Sequence, residues 1–362
     1  MGRAGSASLH LLHGRRILAA GLSQPVRAGT TQVRPLTYWR ENVLVEEVVR
    51  AWEGNLVSAN DCSSQPALTP EVSNFLRASI SDNSRRAYRS DLNHFLAWGG
   101  TIPATQEMIA IYLAAHAEQH ASATLARRLV SIGKAHTAQG LPSPTGAELV
   151  RATLRGIRHT HGSAQRQVSP AIKEDILLMV AGLDGTKGTR DKALLLIGFA
   201  GAFRRSELVS LSVADIDQAK QGLIVTLSRS KTDQEGRGRK VAIPFARGAV
   251  CPVLGLQQWL EVSKITEGPV FRAVNRHGVI SNVPLSSQAV ALVVKERAKA
   301  VGLDASKYAG HSLRAGLVTS AAQLGVSSWK IRAQTGHKSD TMLARYIRDA
   351  NIFVDNAAGA VL

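Results

Sequence analysis

Residues 201–208 read Gly-Ala-Phe-Arg-Arg-Ser-Glu-Leu and overlap the end of the apolar stretch Leu194–Phe203. That stretch is too short for a membrane span and predicts a buried helix. An arginine at the end of such a helix favours an anionic partner, because a buried charge is costly unless it is paired. Glu207 lies three positions after Arg204, close enough on a helical turn to hold its guanidinium. A surface Arg–Glu pair would leave the same pattern, so this stretch alone leaves both interpretations open.

A second polar box lies at residues 310–314, Gly-His-Ser-Leu-Arg. The spacing of His311 and Arg314 puts both side chains on one face of a helix. Together they could grip one phosphate, because the guanidinium is a permanently charged fork and the imidazole hydrogen-bonds and titrates near neutral pH. Alone, the box does not establish a catalytic role.

The third box is Thr-Gly-His-Lys-Ser at residues 335–339. Gly336 fits the C-cap of one helix and Ser339 the N-cap of the next, so the turn would present His337 at a helix junction. Tyr346 follows near the end of that next helix. A lone tyrosine on an amphipathic helix is usually a core or interface residue, so Tyr346 alone does not indicate a catalytic role.

A fourth box belongs to a predicted hairpin. Leu223–Leu227 and Val241–Pro244 are rich in β-forming residues, and the polar segment Ser228–Lys240 between them predicts a long basic turn. Lys231 would lie at its tip, where an amine could protonate a leaving oxygen. Most lysines in turns are merely solvated.

Composition limits the function classes. The chain has 362 residues and a formal charge of +17, of which residues 166–362 carry +11. Apolar residues make up 44%, which excludes a wholly disordered or collagen-like chain. Only Cys62 and Cys251 occur, which argues for a reducing compartment and against a zinc site or a disulfide scaffold. The excess charge favours nucleic acid as the partner, although a solvated basic surface remains the alternative.

Changes in composition divide the chain into five segments. Residues 1–66 predict a basic, disordered arm and linker; a transit peptide or a start codon placed too far upstream would also explain its first forty residues. Residues 67–161 predict a helical domain without strands, and 162–169 an interdomain linker. Residues 170–350 predict a mixed domain, followed by an apolar tail at 351–362.

Local signals predict where individual helices begin. Thr69-Pro70-Glu71 combines an N-cap, a proline at the first helical position and an acid in the first turn. Ser169-Pro170 predicts the start of the first helix in the second domain. Further helices are predicted near residues 84–98, 123–138, 147–159, 187–200, 252–264, 286–301, 311–324, 327–335 and 339–348.

Taken in order, the boxes follow the sequence Arg–Lys–His-x-x-Arg–His–Tyr, which resembles the tyrosine recombinase (phage integrase) family. The resemblance covers residues 67–350 and is strongest over 190–350. It departs from the family at Arg205, where many members have an apolar residue. We assign Arg204 to the phosphate, since it stands directly before the x-Ser-Glu-Leu tail.

The resemblance implies a mainly α fold with a small β-sheet or hairpin in the catalytic domain. It implies two domains in a C-shaped DNA clamp, a helical core-binding domain and an α+β catalytic domain. It implies site-specific cutting and rejoining of DNA through a 3′-phosphotyrosine and a Holliday junction, with no metal and no cofactor. The implied catalytic residues are Arg204, Lys231, His311, Arg314, His337 and the nucleophile Tyr346, with Glu207 in support.

The resemblance also implies partners. These are double-stranded DNA with specific recombination sites, further copies of the chain in a homo-tetramer on DNA, and accessory factors that bend DNA or set direction. We place Arg85, Arg86 and Arg89 of the helical domain as candidate DNA contacts, although a solvated face would look the same. We expect a bacterial cytoplasmic, nucleoid-associated protein without membrane contact. The tail 351–362 is expected to pack in cis or to dock on a neighbouring subunit.

Two other functions share parts of this pattern. A type IB topoisomerase uses the same phosphotyrosine chemistry but relaxes DNA of any sequence as a monomer. A non-catalytic DNA-binding protein of the same fold would lack a member of the motif set, and none is missing here. The recombinase is therefore the favoured interpretation.

Overall fold

The computed structural model describes most of the chain from residue 69 onward. The described residues are 69–163, 167–228, 238–246, 248, 250–337, 339, 341, 343, 344, 346, 358 and 361, together with Val48. The chain divides into two compact units, residues 1–165 and 166–362. Most of the predicted arm, most of the predicted tail and Lys231 lie outside the described residues, and the predicted domain boundaries stay predictions. Val48 is helical and fully buried in the core of the first unit, so the prediction of a disordered arm is wrong at this residue.

The described part of the first unit is helical. Its helices are α1 (Pro70–Ala78), α2 (Asp82–Ala97), α3 (Gln106–Ala115), α4 (Ser122–Ala138) and α5 (Glu148–His161). Thr69, Ser81 and Thr105 cap the first three, each accepting a hydrogen bond from a backbone N–H in the first turn. No strand occurs among residues 69–163, which confirms the prediction of a helical domain here.

Buried apolar side chains from the four helices α2 to α5 form the core of this unit. Leu92 and Phe95 of α2, Tyr112 of α3, and Leu125 and Ile132 of α4 are fully buried. These positions recur at helical spacing, so each helix presents one apolar stripe to the interior.

The second unit combines helices with two small antiparallel sheets. Its helices are α6 (Lys173–Val180), α7 (Gly185–Ala200), α8 (Arg205–Ser210), α9 (Pro252–Ser263), α10 (Ser287–Ala300), α11 (Ser312–Gln323) and α12 (Ser328–Thr335). Its strands are β1 (Ile216–Ala219), β2 (Gly222–Leu227), β3 (Arg239–Pro244), β4 (Arg272–Val274) and β5 (Ile280–Pro284). The fold is mainly α with a small β component, as the sequence predicted.

Helix α7 is the centre of this unit. Its apolar residues Leu194, Leu195 and Ile197 are buried on several sides, which confirms the buried helix predicted from that stretch. Trp259 of α9 is also fully buried, and its indole N–H donates to the Val270 carbonyl at 2.8 Å. The Gly201–Leu208 box begins directly after the last residue of α7.

The hairpin predicted from the two β-rich segments is present. Strands β2 and β3 pair antiparallel, with Leu227 opposite Arg239 at the base of their connection. The sequence did not predict β1, whose four residues Ile-Asp-Gln-Ala carry little β signal, or the pair β4–β5. Three of the four β1 residues are exposed, and β4 and β5 contain no buried residue, so none of these short strands shows the alternation of a half-buried strand.

The predicted helix start at Ser169-Pro170 is wrong, because α6 begins at Lys173. The N–H of Ser169 donates to the Lys307 carbonyl at 2.7 Å, and that of Ala171 to the Ser312 carbonyl at 2.9 Å. These distant partners hold the segment extended. The Asp175 carboxylate then accepts from the Ile172 N–H at 3.2 Å and caps the helix there.

Among the described residues, no helix has both the length and the apolar character that crossing a membrane requires.

Candidate active site

Arg204 and Glu207 form the first part of the site. Arg204 directly precedes α8. The backbone N–H of Arg204 donates to the buried Glu207 carboxylate at 2.9 Å, and Nη1 of Arg204 donates to the same carboxylate at 2.6 Å. Because one carboxylate accepts both hydrogen bonds, it fixes the backbone and the guanidinium of Arg204 relative to each other. The neighbouring Arg205 is exposed, and its Cβ lies beside Gly310. The structure thus brings Arg204, and not Arg205, to the buried carboxylate.

Arg314 lies on α11, and its side chain is only 1% exposed. Its Nη1 donates to the Ala202 carbonyl at 2.9 Å. Ala202 presents that carbonyl from a left-handed backbone conformation, φ +48°, in the turn that ends α7. The buried Nη2 of Arg314 has no hydrogen-bond partner among the described residues. Desolvation, and then the charge of Arg204, lower the pKa of Arg314 to about 10, so it stays charged at neutral pH.

His311 and Tyr346 meet at this arginine pair. The imidazole Nε2 lies 2.9 Å from the tyrosine hydroxyl, which is hydrogen-bonding distance. Desolvation lowers the pKa of His311, and the charges of Arg314 and Arg204 lower it further. A neutral imidazole next to a hydroxyl is the arrangement that a general base needs.

His337 follows a helix end, as the Thr-Gly-His box predicted. Gly336 adopts φ +68° as the C-cap of α12, a conformation that glycine takes without strain. The Thr335 hydroxyl lies 2.8 Å from the Ile331 carbonyl and 2.7 Å from Nδ1 of His337. Because the hydroxyl has one proton and donates it to the carbonyl, Nδ1 carries the imidazole proton.

The surroundings of His337 favour its neutral form. Desolvation is the largest cause, followed by the charges of Arg314 and Arg204, and together they lower the pKa of His337 to about 4. His311 and Arg239 lower it further. The predicted residues Arg204, His311, Arg314, His337 and Tyr346 therefore share one electrostatic environment, with Glu207 as the carboxylate among them.

The second unit matches a known family. Residues 173–351 match the model of the "Phage integrase family". An "Integrase/recombinase xerD homolog" of Selenomonas ruminantium is 42% identical over 293 residues, 78% of this chain and 86% of the relative. This chain belongs to the phage integrase family. It is a tyrosine recombinase, an enzyme that transfers DNA strands.

Solved structures agree with this assignment at the level of the fold. The XerH site-specific recombinase bound to palindromic difH substrate superposes with a TM-score of 0.61 at 14% identity, covering 88% of this chain and 96% of XerH. A lambda integrase dimer bound to a COC' core site superposes with a TM-score of 0.57 at 16% identity, covering 90% of this chain and 84% of the lambda integrase chain.

The recombinase site contains side chains that the sequence did not single out. Arg239, the first residue of β3, donates from Nη2 to Oε2 of Glu207 at 3.3 Å. Its Nη1 donates to the backbone carbonyl of Gln334 at 2.6 Å. The Gln334 side chain in turn donates to the carbonyls of Ala200 and Ala242. The one signal in the sequence is a second basic residue beside Lys240 in a strand, which is common on any basic surface.

The remaining predicted residues are placed as follows. Lys231 lies in the connection 229–237, outside the described residues. Arg85 of α2 pairs with Asp82 at 2.6 Å, and Arg86 donates to the Asn83 side chain at 2.6 Å, both within their own helix. Arg89 lies exposed one turn after Arg85. Their role as DNA contacts stays a prediction.

Within the described residues, no three His, Cys, Asp or Glu side chains are grouped as metal ligands.

Proposed function

We propose that this recombinase cuts and rejoins DNA at specific sites through a covalent phosphotyrosine intermediate at Tyr346. One observation carries the proposal: the Tyr346 hydroxyl lies 2.9 Å from His311, beside the buried Arg314, whose Nη2 has no partner among the described residues. An unsatisfied buried guanidinium nitrogen is costly, and a phosphate oxygen would satisfy it.

The chemistry is a transesterification. The Tyr346 oxygen attacks the scissile phosphorus and its proton passes to His311, while the bond from phosphorus to the 5′ oxygen breaks. The products are a 3′-phosphotyrosine and a 5′ hydroxyl, which receives its proton from Lys231. One phosphodiester replaces another, so the bond is conserved and a second 5′ hydroxyl can reverse the step.

The cations of the protein stabilise the charge that develops on the non-bridging oxygens. Arg204 and Arg314 supply planar guanidinium forks for this purpose. The bound phosphate raises the pKa of His337 above its low value in the free protein, so that Nε2 can gain a proton and donate to an oxygen. The mechanism assigns no role to a metal ion.

The complete reaction exchanges strands between two duplexes through a Holliday junction, in a homo-tetramer. The solved relatives support DNA as the partner, since XerH and lambda integrase are described bound to their sites. A bacterial relative supports a bacterial protein, and the cytoplasmic, nucleoid-associated location is part of the proposal. Accessory factors would supply DNA bending or direction.

An apolar groove in the second unit supports assembly through the tail. The groove has a volume of about 520 Å³ and lies among α6, α7, β3, α11 and α12. Its apolar lining includes Leu177, Phe199, Phe245, Leu317 and Ala321. We assign residues 351–362 of a neighbouring copy as its occupant, because that segment, Asn-Ile-Phe-Val-Asp-Asn-Ala-Ala-Gly-Ala-Val-Leu, carries matching apolar side chains.

The function is tested by trapping the covalent intermediate. Wild-type protein in EDTA is mixed with a library of random duplexes and denatured rapidly, and the DNA that stays attached to protein is sequenced. The enriched site is then built as a nicked substrate from which the 5′ fragment diffuses away. We expect an adduct with wild type and none with Tyr346→Phe, which keeps the ring and should bind the site normally. An adduct in Tyr346→Phe, or a strict Mg²⁺ requirement for cleavage, would overturn the proposal.

The assembly is tested separately. Deletion of 351–362 removes the donor, and Phe245→Glu places a charge in the acceptor groove. Both variants should bind a single site like wild type and lose cooperative binding and recombination. If both recombine at the normal rate, the tail packs in cis.

A further inference from the structure

Arg239 joins three parts of the site that are far apart in the sequence. Through Nη2 it holds Glu207, the carboxylate that positions Arg204. Through Nη1 it holds the Gln334 carbonyl, at the end of the helix that presents His337. As the first residue of β3, it also closes the base of the connection that carries Lys231.

The packing around Arg239 is close. A Cβ added to Gly336 would lie 3.0 Å from Nε of Arg239 and 3.1 Å from its Cδ, so the guanidinium fits against bare backbone. The side chain is only 18% exposed. A shift of Arg239 would therefore move the turn that leads into His337.

Burying the charge of Arg239 at this position costs free energy. Its Nε is buried without a hydrogen-bond partner among the described residues. Desolvation lowers its pKa, and Glu207, which opposes that shift, is already paired with Arg204. An apolar side chain of similar length would cover Gly336 without this cost, since a buried ion pair seldom outweighs its desolvation. Stability alone does not account for an arginine here.

We propose that Arg239 is a positioning residue for strand cleavage, setting the distance between Arg204 and His337 on the scissile phosphate by bridging Glu207 to the Gln334 carbonyl. This inference rests on the proposed function. Arg239 acts through its two neighbours and does not itself bind the phosphate. A displacement of the reacting groups by even 1 Å is enough to slow an enzyme by about 100-fold.

The experiment compares three variants. Arg239→Gln removes the charge and can keep only one of the two contacts. Arg239→Lys keeps the charge but offers a point donor in place of a fork. Lys240→Gln is the matched control, because Lys240 is the next residue on the same strand, is exposed, and loses the same charge. Single-turnover cleavage of the nicked substrate is measured across DNA concentrations, with thermal unfolding measured in parallel.

We expect Arg239→Gln to lower the cleavage rate at saturating DNA by about 10- to 100-fold, while the half-saturating DNA concentration stays that of Lys240→Gln. Arg239→Lys should be intermediate. Equal rates for Arg239→Gln and Lys240→Gln would overturn the inference, as would a loss confined to DNA affinity. If Arg239→Gln unfolds, the test rests on Arg239→Lys. A wild-type cleavage rate in Arg239→Lys would then refute the positioning role of Arg239. Failure of the proposed function is seen separately, in the missing adduct of the wild type.

Discussion

Two buried clusters of one carboxylate with several arginines lie in the second unit, and they differ in how completely they are paired. Asp191 accepts from Nε of Arg190 at 2.7 Å and from Nε of Arg297 at 2.9 Å. The remaining Nη1 of Arg190 donates to the Arg272 carbonyl. Neither arginine has a buried nitrogen that lacks a partner within the described part of the chain.

The Glu207 cluster is not closed in this way. Glu207 is the one carboxylate that interacts electrostatically with the three arginines Arg204, Arg239 and Arg314 in this cluster. Arg239 and Arg314 each have a buried side-chain nitrogen with no hydrogen-bond partner among the described residues. Desolvation lowers the pKa of both His311 and His337, and the charges of Arg314 and Arg204 lower it further. The Asp191 cluster therefore joins α7 to α10 with its charges paired. In the proposed function, the Glu207 cluster leaves positive charge available for the scissile phosphate.

The largest expected effect is a loss of folding stability when the Asp191 cluster is disrupted. Asp191→Asn should lower the free energy of unfolding by about 3–5 kcal/mol, because it removes the buried carboxylate that pairs with both Arg190 and Arg297. Chemical denaturation measures this. Lys187→Gln is the control, since its pair with Glu296 at 2.8 Å is half exposed and worth at most about 1 kcal/mol. Equal losses in the two variants would contradict a structural role for the Asp191 cluster.

The opposite behaviour is expected at the Glu207 cluster. Arg204→Lys and Arg314→Lys should each slow single-turnover cleavage at least about 100-fold, as for loss of one oxyanion donor, because lysine cannot make the two-pronged contact. The free energy of unfolding should change little. Arg205→Lys, at an exposed position, should cleave normally. Loss of activity in Arg205→Lys but not in Arg204→Lys would show that the other arginine faces the phosphate.

The third prediction uses the titration of His337. Its pKa in the folded protein is about 4, below its ordinary value of 6.5, so the unfolded chain binds a proton first as pH falls. Stability should therefore drop as pH falls from about 6.5 to 4, by up to about 3 kcal/mol at about 1.4 kcal/mol per pKa unit. Comparing unfolding of wild type and His337→Gln across this range isolates the contribution. Parallel curves for the two proteins would show that His337 is not held neutral.

The smallest effect concerns the turn that serves Arg314. Ala202→Gly should stabilise the fold by up to about 1 kcal/mol, because glycine adopts a positive φ without the strain that a Cβ brings. The carbonyl that receives Arg314 stays in place, so cleavage should be unchanged. Thermal unfolding and the single-turnover assay together check this. A slower cleavage rate would mean that the Ala202 methyl group itself supports the guanidinium.

Much of the site could be predicted because its signals are local. The i, i+3 spacing of His311 and Arg314, the glycine that ends α12 before His337, and the carboxylate three residues after Arg204 each act within one helical turn. The family motif order then related these pieces to Tyr346. The start of α6 was mispredicted because distant carbonyls, at Lys307 and Ser312, hold the preceding segment extended.

The sequence by itself determined the family and the mainly helical architecture, and it predicted the chemical identity of the reacting groups. Only the tertiary structure decided which arginine turns inward, which carbonyl receives Arg314, and that Arg239 joins Glu207 to the His337 turn. Those choices depend on contacts between residues far apart in the chain, 95 positions for Arg239 with Gln334 and 112 for Arg314 with Ala202. A local pattern specifies the helix that carries a side chain, whereas its partner is set by how the helices and strands pack around α7.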